Sequence, residues 1–404
     1  MPLLNKVRTA ASGGYGGDTA THSLTRLRSA LTLFFALDGF LFAGWVVRIP
    51  AVKQQTGASA GDLGLALLGV SAGAVITMTL TGRLCRRYGS HAVTVVTAAL
   101  LSLSVALPAL TRSPLALGLV LLVFGAAYGG INVAMNSAAV DLVTALRRPV
   151  MPSFHAAFSL GGMIGAGLGG LLAGSLSPAS HLLGLTAVGL VVTAAAGPVL
   201  LRHPSPAPPP ETLPPARGGG ASRRTVLVFG VIALCTAYGE GALADWGALH
   251  LTQDLGAHPG VAAAGYSVFA LTMTLGRLSG TALLERLGQT RTLVLGGATA
   301  AAGMLLGALA PSVWGALLGF GVTGLGLANI FPVAVARAGA IAGPGGVATA
   351  STLGYGGMLL GPPCIGFLAD WFSLPIALTT VAMLAAGAAA MGYWARNAGA
   401  KQVS

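Results

Sequence analysis

TMTLTGR, Thr77 to Arg83, returns as TMTLGR, Thr272 to Arg277, in the other half of a 404-residue chain. The shared TMTL is offset by 195 residues. GGM at Gly161 to Met163 recurs at Gly356 to Met358 with the same offset, and Phe124-Gly125 recurs as Phe320-Gly321 at 196. One such match is cheap in so biased a composition, but a near-constant offset across several is how an internally duplicated chain shows itself. The chain therefore consists of two parallel repeats.

The repeats sit inside apolar runs near 29–49, 61–82, 91–111, 115–139, 152–175 and 181–201, and again near 226–247, 260–284, 290–311, 313–336, 346–369 and 374–395. Each is about the 20 residues that a helix needs to cross roughly 30 Å of hydrocarbon. Hydrophobic residues make up 54% of the chain and charged ones 8%, far from the roughly 25% charged of soluble domains. The expected fold is all-α and polytopic, with twelve transmembrane helices in two pseudo-symmetric six-helix bundles. Sixty-one glycines let those helices approach closely.

HPSPAPPPETLPPARGGGASRR, residues 203–224, has too much proline and glycine to continue a helix and suits an extended linker. The expected organisation is a polar cytoplasmic tail (1–28), an N-terminal bundle (29–202), the linker (203–224), a C-terminal bundle (225–396) and a cytoplasmic tail (397–404). All 22 Lys and Arg except Arg48, Lys53 and Arg112 fall on the linker's side of the membrane, Arg277 and Arg337 included. The positive-inside rule then puts both termini in the cytoplasm of a multi-pass cell-membrane protein. This topology accounts for the net charge of +12 without a nucleic-acid partner, since no basic patch carries interleaved aromatics.

No small-residue cleavage site follows the first apolar run, which argues against a cleaved signal peptide. Cys85, Cys235 and Cys364 are widely separated and are expected to be packing residues rather than metal ligands or a disulfide framework.

The six-plus-six repeat, the central linker and the Arg-rich loop between spans two and three together resemble the major facilitator superfamily, over the whole chain. The superfamily's loop signature, G-x-L-x-D-R-x-G-R-K, is matched in TGRLCRRYGSH by Gly82, Leu84, Arg87 and Gly89, but Arg86 occupies the acid position. The second copy, GRLSGTALLERLGQTR, keeps Glu285-Arg286 and Gly288 with one extra residue. By this resemblance Arg83, Arg87, Glu285 and Arg286 serve cytoplasmic gating. WVVRIPAVKQQTG, NVAMNSAAV, RRPVMPSFHAAFSLGG and AYGEGALADWGALHL look like a bacterial group of the superfamily distantly similar to the L-fucose permease. The resemblance implies secondary transport by alternating access. It implies no particular solute.

Two intramembrane acids stand out among only ten Asp and Glu. Asp38 lies near mid-membrane in FFALDGFLFAGWVVRIP, and Glu240 occupies matching depth in the seventh span when Trp246 is aligned with Trp45. A charged carboxylate at that depth is costly, so both are candidate proton-coupling groups. Asp245, about 140° further round the same helix, is a partner of Trp246, a gate residue or a solute contact. Tyr128, Asn132 and Asn136 form an i, i+4, i+8 stripe that would hydrogen-bond a polar solute or join helices. His155 and Ser159 share a face of span five, and Asn329 precedes the helix-bending Pro332. With Trp45 and Trp246 these complete the candidate cavity.

Gly161, Gly165, Gly169 and Gly170 resemble the glycine ladder of superfamily antiporters, with Ala166 in place of its proline, and tilt the reading towards export. The expected activity is proton-coupled movement of a small polar or amphiphilic solute by a monomer without cofactor or metal. A sugar-type proton symporter and a non-transporting sensor on a carrier fold are the alternatives. An enzyme is disfavoured, since no HExxH, GxSxG or His-rich set occurs.

Overall fold

Backbone polar groups cannot be left unpaired in hydrocarbon, so long apolar runs become helices. The computed structural model of the chain describes residues 4–58, 60–172, 175–203, 220–257 and 259–397. Most of the linker and the C-terminal tail lie outside the described residues. The helices are α1 (Leu4–Val46), α2 (Ile49–Thr56), α3 (Ala60–Tyr88), α4 (Ser90–Ser104), α5 (Pro114–Leu146), α6 (Met151–Leu172), α7 (Pro178–Arg202), α8 (Gly220–Gln253), α9 (Pro259–Leu309), α10 (Val313–Leu327), α11 (Ile330–Trp371) and α12 (Leu374–Trp394).

Among the described residues, nine helical stretches are long and apolar enough to cross a membrane. Two of them are double spans. Non-helical backbone breaks α9 at Gly288 and α11 at Ala342-Gly343. Counting each half separately, and adding the 22-residue α6, gives the twelve spans that the apolar runs foretell. The tenth span is α10 continued into the first part of α11, with a local break at Ala328 and Asn329 just ahead of Pro332. The short α2, which follows the first span, has no counterpart among the apolar runs. Gln55 fastens it by donating to the carbonyls of Ala109 (2.8 Å) and Thr111 (2.7 Å).

The duplication appears in the helix starts. Ser113 caps the fourth span and Ser312 the tenth; Ser177 caps the sixth and Ser373 the twelfth, each hydroxyl accepting a backbone N–H of the first turn. The loops match too. Gly89 (φ 85°) and Gly288 (φ 75°) turn the chain at equivalent places in left-handed backbone that glycine tolerates best. At the turn after the fourth span Arg147 itself adopts φ 51°, where the second half uses Gly343.

In the first half α1 packs on α6 and α7, and α3 on α5; in the second, α8 packs on α11 and α12, and α9 on α10 and α12. Glycines make the tightest seams. A Cβ on Gly161 or Gly165 would overlap the backbone of Ala36 or Phe40 in α1, and one on Gly357 the backbone of Leu234 in α8. A Cβ on Gly361 would be tight rather than overlapping, 3.1 Å from the Tyr238 carbonyl oxygen. The structural partner of Gly161 is thus Gly357, not the Gly356 that the GGM repeat aligns with it. A helix position slipped by one residue turns by about 100°, which moves the neighbouring glycine off the seam. The ladder of span five therefore closes a seam within one half.

Leu115, Leu171, Trp314, Trp371 and Trp394 are among the large apolar side chains facing outwards, as a lipid-facing surface requires. Cys364 is also exposed, whereas Cys85 and Cys235 are buried, so only two of the three serve as interior packing.

Arg277 departs most from the sequence reading. Counted there among the basic residues of the linker's side, it is instead 7% exposed inside the protein. The second TMTL lacks the threonine that follows the first, so at the 195 offset Arg277 matches Gly82, whose face of α3 meets the opposite half near Pro344 and Ala348. One missing residue turned an expected loop cation into an interior one.

Candidate functional site at the interface of the two halves

The halves meet where α3 and α5 face α11 and where α6 faces α9. At mid-depth the rings of Tyr128 and Tyr355 meet edge to face, 6.0 Å apart, and Phe42 stacks on Tyr128 at 4.8 Å. Towards the Arg-rich ends Val140 lies beside Gly339, Pro152 beside Gly280, and Gly82 beside Pro344 and Gly345. At those ends Arg148 of the first half pairs with Glu285 of the second at 2.8 Å. Glu285 thus reaches across the halves instead of pairing with its neighbour Arg286. Arg286, Arg83 and Arg87 are exposed, and Arg87 lies over the Tyr88 ring at 5.2 Å.

Arg277 ties the site together. Its Nη2 donates to Glu240 Oε1 at 3.2 Å, its Nε to the Ala328 carbonyl at 3.3 Å, and its Nη1 to Ser159 Oγ at 2.8 Å. Glu240 belongs to α8, Ala328 to the break after α10, and Ser159 to α6 of the other half. A buried cation is tolerable only when paired and hydrogen-bonded, and here one guanidinium meets both conditions while spanning the interface. Asn329, expected to line a cavity, braces this arginine's helix: its Nδ2 donates to the Gly276 carbonyl at 2.9 Å.

Asp38 is fully buried at the level where α1 crosses Phe158 and Gly162 of α6. Neither of its oxygens has a protein partner among the described residues, and the same holds for Asn132 Oδ1, Ser351 Oγ and Thr352 Oγ1. Asp38 lies within electrostatic range of Tyr128 and Tyr355, and Glu240 within that of Tyr128 and Tyr266. Asp245 is exposed, further along α8 and within electrostatic reach of Tyr266. Glu240, Tyr266 and Asp245 thus run from Arg277 away from the Arg-rich ends.

The polar stripe of the fourth span divides by role. Asn136 is fully buried and used within the first half: Nδ2 donates to the Asn132 carbonyl at 2.8 Å, and Oδ1 faces His155 Nε2 at 3.2 Å. His155 is held there between Phe35 and Phe331. Tyr128 remains at the interface against Tyr355, and Asn132 is half-buried with its Oδ1 unpartnered. Trp45 is buried against Phe124, and Trp246 packs near Gly366. Sequence reasoning missed Arg277 and Tyr355 as site residues; the shortened repeat after the second TMTL was the available clue to the first.

The Major Facilitator Superfamily profile matches residues 30–239. An uncharacterised MFS-type transporter of Yersinia pestis is 36% identical over 357 residues, covering 87% of this chain and 91% of that protein. An uncharacterised transporter, y4wD, of Sinorhizobium fredii is 33% identical, with 87% and 93% covered. The membrane protein MosC of Rhizobium meliloti is 29% identical, with 87% and 85% covered. Among solved structures, the Major Facilitator Superfamily transporter FucP in the outward conformation superposes with a TM-score of 0.75 at 17% identity, covering 91% of this chain and 98% of that one; a variant of the Escherichia coli fucose:proton symporter FucP gives 0.73 at 16%. The human organic anion transporter MFSD10 gives 0.75 at 17%, with 91% and 99% covered. The last three likenesses concern the fold. On the profile match and the Yersinia pestis relative, this chain belongs to the Major Facilitator Superfamily of membrane transporters.

Proposed function

We propose that this chain is a proton-coupled secondary carrier of a small polar or amphiphilic solute, working as a monomer in the cell membrane with both termini cytoplasmic. Its halves would rock about the central site, with Asp38 and Glu240 binding the coupling proton. The observation that carries this reading is the chain Glu240, Arg277, Ser159. It links a carboxylate in one half to a hydroxyl in the other through one buried guanidinium. A proton on Glu240 removes the charge that holds Arg277, so protonation alters a bond between the halves. Coupling requires that proton affinity differ between the two states, and an interface contact provides such a difference.

The unpartnered oxygens of Asp38, Asn132, Ser351 and Thr352 supply hydrogen-bonding capacity for a polar solute. Net export, towards which the glycine ladder leans, and uptake are both available to such a carrier; the sum of the proton and solute gradients sets the direction. Reconstitution into proteoliposomes tests the reading. Glu240→Gln keeps size and hydrogen bonding but cannot release a proton, so it should abolish gradient-driven accumulation while sparing solute exchange. Asp38→Asn should behave alike if the two acids share the task. Accumulation by Glu240→Gln equal to the parent's, with the same pH dependence, would refute the assignment.

A further inference from the structure

We propose that the transported solute is a hydroxylated carboxylic acid whose carboxylate replaces Glu240 on Arg277, and that it crosses with one proton carried by Glu240. This rests on the carrier reading above and adds the substrate class and the stoichiometry.

Among the described residues Arg48 and Arg277 are the buried arginines. Arg48 is engaged at the far end of the first half, donating to His181 Nδ1 at 2.9 Å and to the Leu172 carbonyl at 3.1 Å. Arg277 is the buried arginine at the interface. A guanidinium offers five N–H donors in a fork that fits a carboxylate with two parallel bonds. The structure gives Arg277 three acceptors, and its bond to Glu240 is single-pronged at 3.2 Å, longer than a good charge-assisted hydrogen bond. Glu240 is therefore a placeholder that a better-fitting carboxylate displaces. Its side chain is 27% exposed, so water and protons reach it.

Charge balance then sets the coupling. With Arg277 cationic and Glu240 ionised, the pair is neutral. A solute anion alone would leave an unpaired negative charge in a low-dielectric interface, and a proton alone an unpaired positive one. Both arriving together, the proton on Glu240 and the anion on Arg277, restore neutrality. The titratable groups facing Glu240 are Arg277 and Tyr266 from α9 and Tyr128 from α5. α11 adds Tyr355 near mid-depth, with Arg337 and Asp370 towards its ends, and α12 contains no charged residue or histidine. From α6, His155 lies within electrostatic reach of Arg277, with its Nε2 turned to Asn136 Oδ1 at 3.2 Å, so Arg277 is the cation of this set with N–H donors aimed at Glu240. The orphaned Asn132 Oδ1 and Thr352 Oγ1, each within about one helical turn of Tyr128 or Tyr355 along the chain, suit the hydroxyls of such a solute, and the two rings its carbon frame.

The test uses the purified full chain in proteoliposomes with an internal pH indicator. The probes are lactate, gluconate, quinate and mandelate, each beside its amide, together with neutral sugars and amines. The expected result is that at least one acid moves with a proton while its amide does not, at a rate unaffected by a membrane potential imposed with potassium and valinomycin. Arg277→Gln should raise the half-saturating concentration about tenfold or more, as expected for loss of a charge-assisted bond. Arg277→Lys keeps the charge without the fork and should show a smaller rise. If Arg277→Gln does not fold, the Lys variant and the potential dependence of the parent decide. Equal movement of acid and amide, movement of neutral or cationic solutes only, or acid uptake driven by potential overturns the inference and leaves the carrier reading standing. A panel in which nothing moves overturns both.

Discussion

Gly356 and Gly357 are adjacent, yet the structure sets them apart sharply enough for a paired test. A Cβ built on Gly356 meets nothing within 4 Å, while one built on Gly357 runs into the Leu234 backbone of α8. The obstacle is main chain and cannot rotate aside, so Gly357→Ala must push α8 and α11 apart. Overpacking of this kind costs about 1–3 kcal/mol. At about 2–4 °C per kcal/mol for a unit the size of one six-helix half, the apparent midpoint of thermal unfolding in detergent should fall by roughly 2–12 °C. Gly356→Ala should leave it unchanged, because a membrane helix stays formed in both states and gains little from better helix propensity. The first half supplies a second pair: Gly161→Ala, against the Ala36 backbone, should destabilise, whereas Gly162→Ala meets only ordinary contact at 3.7 Å. The reasoning fails if Gly356→Ala is as destabilising as Gly357→Ala, or if Gly357→Ala melts with the parent.

Arg148 and Glu285 form an inter-half ion pair with side chains 57% and 39% exposed, so water screens it and it contributes about 0.2–1 kcal/mol. Glu285→Gln should shift the balance between open and closed Arg-rich ends by no more than about fivefold, measured as the reactivity of a cysteine placed in the central site. A shift well beyond tenfold, or a charge-swapped pair no closer to the parent than either single variant, would show that the contact does something else. Asn136→Leu should impair folding, since it strips the buried His155 Nε2 of its partner. Asn132→Leu should weaken solute binding in a folded protein, and an unchanged dissociation constant in that variant would assign Asn132 to packing.

What the sequence determined by itself is the class and repeat of the fold. Twelve apolar runs, a proline-rich divider and a near-constant offset need no tertiary information, because the cost of unpaired backbone in hydrocarbon acts on each run separately. Asp38 and Glu240 were legible for a similarly local reason: an acid in an apolar run is conspicuous wherever its helix packs. Which groups meet was not legible. Arg277 lies in a run whose repeat places an arginine at the loop, and only the packing of α9 against α6 turns it towards Ser159 and Glu240. The stripe of Tyr128, Asn132 and Asn136 is uniform along its helix, yet His155 claims Asn136 while Tyr128 meets Tyr355 of the other half. The paired glycines show the same limit. A one-residue slip that barely changes an alignment rotates a side chain by about 100°, and a helical carrier places its chemistry by rotation about each helix axis, which packing between distant segments decides.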